Sequence, residues 1–154
     1  MKDQKQKLLI QQTDKKLSSF YPLKDVKIPA HGWVNSIRMA MKMSLAQLGK
    51  RLGITAQSVK EIETREQDRS ITLDKLEQVG RAMNMKLVYG FIPADGSIEK
   101  MIENRARQLA VKIVKRTSTT MKLEDQENTN IRIEEAINDM ADDIKRTMPK
   151  YLWD

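Results

Sequence analysis

Thr55, Ala56, Gln57, Ser58, Lys60 and Glu61 fall within seven consecutive positions and combine hydroxyls, an amide, an ammonium and a carboxylate. The Gln57 amide carries a donor and an acceptor in one plane, which suits the edge of an adenine, and the Thr55 and Ser58 hydroxyls can reach a base or a phosphate. Lys60 adds a point charge that suits a phosphate oxygen. None of this is catalytic chemistry. No paired nucleophile and base, metal cluster or phosphate-cradling glycine loop is visible, and scattered Asp and Glu on helices usually mean solvated faces. The absence of cysteine removes disulfides, thiolate metal sites and a cysteine nucleophile together. The single histidine, His31, has no second imidazole with which to share a metal and reads as a surface or helix-entry residue. The sequence therefore implies no enzyme, no cofactor and no metal.

These side chains need a helix, and the preceding residues supply one. Trp33, Ile37 and Ala40 give the apolar stripe of a first short helix ending near Met43. Ser44-Leu45-Ala46-Gln47 is a capping-box pattern opening a second helix, with Leu45, Leu48 and Leu52 facing in. Gly53 stops it, since glycine takes the left-handed conformation of a C-terminal cap without a β-carbon clash. Only Gly53 and Ile54 separate that end from Thr55, which can cap a third helix through Val59 and Ile62 to about Thr64. So tight a turn makes the two helices cross steeply and projects the start of the third outward. Thr72 opens a fourth helix carrying Leu73, Leu76, Val79 and Met83, capped by Asn84. The expected core is Trp33, Ile37, Leu48, Leu52, Val59 and Ile62, closed by the fourth helix. Met85-Lys86-Leu87-Val88-Tyr89-Gly90-Phe91-Ile92 is rich in β-forming types and reads as a strand. A lone strand must pair, so residues 85–92 predict a homodimer, with an extended connector packed on the bundle as the simpler alternative.

The chain divides at its prolines and glycines. Residues 1–30 form an N-terminal arm or marginal helix, 31–92 the central domain with its strand, and 93–154 a helical extension after the turn at Pro93 and Gly96. In the extension, Ile98, Met101, Ile102, Ala106, Leu109 and Ile113 predict a helix from about Ser97 to Thr119. Ile133, Ile137, Met140, Ala141 and Ile144 predict another, ending before Pro149. The 154-residue chain is 40% hydrophobic and carries a net charge of +7, so a polyanionic partner is in view. The basic groups concentrate early: residues 1–30 have seven Lys against three Asp, and 31–92 ten basic against six acidic groups. Residues 123–154 reverse the sign with nine acidic against four basic groups. No apolar run approaches the roughly 18 residues of a membrane span, and the lysine-rich start lacks a signal peptide's hydrophobic centre, so a cytoplasmic location without membrane contact is expected.

The run from Met43 to Glu63 resembles the helix-turn-helix of the lambda-repressor-like, XRE family at nearly every characteristic position. That resemblance implies an all-α bundle with the third helix as recognition helix, followed here by the short β-strand and the C-terminal helical extension. It also implies Ala56, Gln57, Ser58 and Glu61 as DNA-facing positions on double-stranded DNA. Ala56 and Leu45 depart from the family, whose members often carry amides there, so base readout would rest on fewer hydrogen bonds or on other residues. Arg38, Lys50, Arg51, Lys60, Arg65 and Arg69 are the candidates for phosphate contact at the rim.

The whole chain is also similar to the family called mobile mystery protein A. The likeness lies in Gly32-Trp33, the 86–93 segment, Ser97-Ile98-Glu99 with Arg105-Ala106-Arg107-Gln108-Leu109-Ala110, and Thr120 to Gln126. Members of that family are encoded beside a Fic-domain protein, which implies an antitoxin that represses its own operon and inhibits a Fic-domain toxin. Thr120 and Glu124 have the spacing of a Fic-inhibitory motif and share a helix face, although Asp125 stands where Gly or Asn is usual. Two other functions fit the same residues: a purely protein-binding Fic inhibitor that does not read DNA, and a stand-alone phage-type repressor.

Overall fold

A computed structural model describes residues 1–117 and 126–154, and the regular structure among them is entirely helical. The α-helices are α1 (Lys2–Leu17), α2 (Trp33–Ala40), α3 (Leu45–Leu52), α4 (Ala56–Gln67), α5 (Leu73–Ala82), α6 (Ile98–Thr117) and α7 (Gln126–Thr147). Short 3-10 helices follow α1 at Ser18–Leu23 and α7 at Lys150–Trp153. The chain makes two compact units, Asp25–Tyr89 and a second built from Met1–Lys24 with Gly90–Asp154.

In the Asp25–Tyr89 unit, helices too short to persist in water are held by their ends and by one core. Val34, Leu48, Val59, Ile62, Val79 and Met83 form the core, each worth about 1.5–3 kcal/mol when fully buried. The core differs from the sequence expectation on α2. Val34 and Arg38 point inward and Trp33 stays 44% exposed, a rotation of about one residue. All four helices end on a left-handed residue, Lys42, Gly53, Arg69 and Asn84, with φ of 52°, 71°, 61° and 57°. In each, the next amide reaches back five residues: Met43 to Arg38 O, Ile54 to Gly49 O, Ser70 to Arg65 O and Met85 to Gly80 O, at 2.8–3.0 Å. This motif satisfies carbonyls that a helix end otherwise leaves unpaired. The start of α2 is closed from a distance. Gly32 offers no capping side chain, and both Glu66 carboxylate oxygens accept from the amides of Trp33 and Val34 at 2.8 Å.

The strand expected over residues 85–92 is not formed. After the Met85 amide bonds Gly80, residues 86–92 make no backbone hydrogen bond among the described residues, and no second strand is present there to complete a ladder. Val88, Tyr89 and Phe91 are 62%, 68% and 80% exposed. Their β-forming side chains favour an extended backbone, but a strand is made by its partner. The strand-paired homodimer expected from this segment has no strand to build on.

In the other unit, α6 and α7 run antiparallel, as the pairing of Glu103 with Lys145 and Arg107 with Glu134 requires. Ile102, Ala106, Ala110 and Val114, four residues apart on α6, pack with Ile137, Ile144 and Leu152. The lysine-rich start of the chain is the helix α1, which buries no residue fully but leans Ile10 on this core. Asp14 of α1 caps α6, its two carboxylate oxygens accepting from the amides of Ile98 at 2.7 Å and Glu99 at 3.1 Å.

Candidate nucleic-acid interface

The turn between α3 and α4 is fixed at both ends and from below. At the start of α3, Ser44 Oγ accepts from the Gln47 amide at 3.0 Å and the Ser44 amide donates to Gln47 Oε1 at 2.8 Å, a complete capping box. At its end Gly53 adopts the left-handed conformation. Beneath the turn lies Gly49, fully packed, where a β-carbon would stand 2.7 Å from the Ile54 carbonyl oxygen. Absence of that carbon lets the turn backbone settle directly on α3. Thr55 then caps α4, its hydroxyl accepting from the Ser58 amide at 3.1 Å.

This arrangement sorts the side chains of α4. Val59, Ile62 and Glu63 are buried, while Gln57, Lys60, Glu61 and Thr64 are exposed along one face at helical spacing. Ala56 and Ser58 are half-buried. The Thr55 and Ser58 hydroxyls hydrogen-bond each other at 2.9 Å, so both are already engaged in the cap. Thr64, where the sequence pattern stops, lies one turn before the helix end, and its hydroxyl donates to the Lys60 carbonyl at 3.0 Å. The groups left with free donors and acceptors on this face are the Gln57 amide, the Lys60 ammonium and the Glu61 carboxylate. Such a face can offer a planar amide to a base edge with a cation beside it.

A helix-turn-helix family model matches residues 34–89. That match spans α2 to α5, so the segment is similar to helix-turn-helix domains. No curated protein and no solved structure matches the chain.

Around the helix-turn-helix domain the expected cations fall into different places. Lys50, Arg51, Lys60, Arg65 and Arg69 are exposed. Arg51 reaches from α3 to the Ala82 carbonyl at the end of α5, with Nη1 at 3.2 Å. Arg38 is not at the rim. It is 7% exposed, its Nε donates to Glu63 Oε1 at 2.5 Å and its Nη2 to Glu63 Oε2 at 3.3 Å. Its Nη1 donates to the Met43 carbonyl at 2.9 Å. Asn35 supplies Glu63 with a further donor at 3.1 Å. Arg38 thus ties α2, α4 and the α2–α3 turn together from inside. Sequence reasoning missed Glu63, Glu66 and Gly49, the residues that hold α4 in place, because their partners lie elsewhere in the chain or are backbone. Thr120 and Glu124 lie outside the described residues. No group of three His, Cys, Asp or Glu among the described residues could hold a metal, and no described helix is long and apolar enough to cross a membrane.

Proposed function

We propose that this protein is a transcriptional regulator that reads duplex DNA through α4. The observation that carries the reading is the exposed Gln57, Lys60 and Glu61 face at the outward start of a helix fixed by the Gly53 turn, within a helix-turn-helix domain. Gln57 reads a base edge, Lys60 with Lys50, Arg51 and Arg65 meets phosphates, and Thr55, Ala56 and Ser58 set how closely α4 approaches. The test is fluorescence anisotropy on the DNA upstream of the gene and on random duplex. Gln57→Ala costs about 1–3 kcal/mol on the cognate sequence and little on random DNA. Lys60→Ala weakens both and lowers the salt slope by about 1. Binding by both variants at wild-type strength would reject the reading.

The antitoxin role extends this proposal, and its support is the likeness of the whole chain to a family whose members are encoded beside Fic-domain proteins. In that extension residues 93–154 hold the Fic-domain protein, and Thr120 and Glu124 inhibit it. Coexpression with the adjacent gene followed by copurification tests it. A failure there removes the toxin partner and leaves the DNA reading standing.

A further inference from the structure

The helix α1 is divided by charge. Asp14 caps α6, and Asp3, an exposed side chain on the same side of the helix, lies 3.9 Å from Arg146 of α7. The opposite side carries Lys2, Lys5, Lys15 and Lys16 around Leu8 and Leu9, all exposed, without a carboxylate among them. None of these lysines makes an ion pair among the described residues. Leu8 and Leu9 are 52% and 55% exposed, an apolar centre inside a basic ring.

The exposed side of α7 is net acidic, although it also carries Arg132 and Arg146, the latter paired with Asp143. Glu135, Asp139 and Asp142 project from successive turns and make no ion pair among the described residues, with Ile131 exposed beside them at 59%. The two helices adjoin. Asp3, Lys7 and Ile10 of α1 share the wall of a cavity of about 320 Å³ with Asp142, Lys145 and Arg146 of α7. One compact unit therefore carries a basic face on α1 and a net acidic face on α7, each with exposed apolar side chains.

We infer that this paired surface is a self-complementary interface, in which the lysine face of α1 in one copy docks on the acidic face of α7 in a second copy. A two-fold axis makes that contact twice, setting the unpaired lysines of α1 against the unpaired carboxylates of α7. The same rotation covers Leu8, Leu9 and Ile131. Surface ion pairs are individually weak, and repetition across a symmetric contact around an apolar centre is what gives them a joint effect. The contact involves neither residues 85–92 nor α4, so it stands apart from the DNA reading.

The experiment is light scattering on the full chain at low and high salt, using charge reversals on side chains that have no intramolecular ion pair. The wild type is expected at twice its 17.8 kDa monomer mass at low salt, falling toward monomer as salt rises. Lys5→Glu with Lys16→Glu gives a monomer, as does Glu135→Lys with Asp139→Lys. An equimolar mixture of those two variants returns to the doubled mass, because each then offers the face that the other needs. The chain carrying all four reversals also dimerises. A wild type that is monomeric at every concentration overturns the proposal, as does a doubled mass that survives either pair of reversals. A third result also overturns it: reversal at Lys5 and Lys16 that leaves the mass unchanged but weakens duplex binding, which assigns the lysine face to phosphate.

Discussion

Glu63 accepts from Arg38 Nε, Arg38 Nη2 and Asn35, and both members of the ion pair are 7% exposed. Replacing Arg38 by Met leaves the carboxylate buried with one neutral donor. Replacing Glu63 by Leu leaves the guanidinium buried with only the Met43 carbonyl. Each single change strands a charge, and breaking a buried pair from one side costs about 3–5 kcal/mol. A small domain has only about 5–15 kcal/mol in total, so each variant sits near unfolding. Removing both partners at once strands no charge, leaving only the neutral Asn35 amide and Met43 carbonyl without that partner, and substitution of such a pair by apolar residues is often neutral or stabilising. Arg38→Met/Glu63→Leu is therefore expected to be more stable than either single variant. The chain has two tryptophans, Trp33 in the Asp25–Tyr89 unit and Trp153 in the other, so urea unfolding followed by fluorescence in a Trp153→Phe background reports the helix-turn-helix domain alone. Single variants within about 0.5 kcal/mol of wild type, the scatter of ordinary surface substitutions, would refute the buried-pair argument. A double variant that costs the sum of the two would refute it equally. The double variant should also keep its salt slope on DNA, because Arg38 faces the core.

Gly49→Ala places a methyl 2.7 Å from the Ile54 carbonyl oxygen, and backbone on both sides cannot yield easily; a loss of about 1–3 kcal/mol is expected in the same unfolding assay. Lys42→Gly and Arg69→Gly act in the opposite direction. Left-handed backbone costs a side-chain-bearing residue about 1–2 kcal/mol, against roughly 0.5–1 kcal/mol of extra chain entropy lost by glycine, so each should raise the melting temperature modestly. In the other unit, the hydrogen bond from Lys145 holds the Glu103 carboxyl below its ordinary range, and Glu103 in turn raises Lys145. A depressed carboxyl contributes stability above its unfolded pKa and loses it as pH falls through the folded value. Acid unfolding followed by Trp153 should therefore be shallower in Glu103→Gln, and an unchanged acid limb counts against the pairing.

What could be read from the sequence was what neighbours decide. Ser44 with Gln47, the Gly53 stop and the Thr55 cap all act within a few residues, so the α3–turn–α4 geometry was legible before any fold was known. Periodicity likewise placed α6 and α7, with α7 ending at Thr147 against an expected end before Pro149. Arg38 was not legible. On α2 the bulk of Trp33 outweighs Val34 in any apolar count, and an arginine turns inward only when a carboxylate waits there, which is Glu63 from 25 residues away. Residues 85–92 failed for a related reason, since composition favours extended backbone but says nothing about a partner strand. On α4, residue types marked Ser58 as a hydroxyl able to reach DNA, whereas it is bonded to the capping Thr55 hydroxyl.

The two helix starts closed by remote carboxylates give synthesis a direction. The α6 amides emerge from the ribosome into a chain that already contains Asp14, made 84 residues earlier. The α2 amides emerge 32 residues before Glu66 exists. At about 5–20 residues per second that is a delay of roughly two to six seconds, during which α2 has no cap and no core. The nascent domain must therefore fold backward, its first helix completed by the last turn of its third.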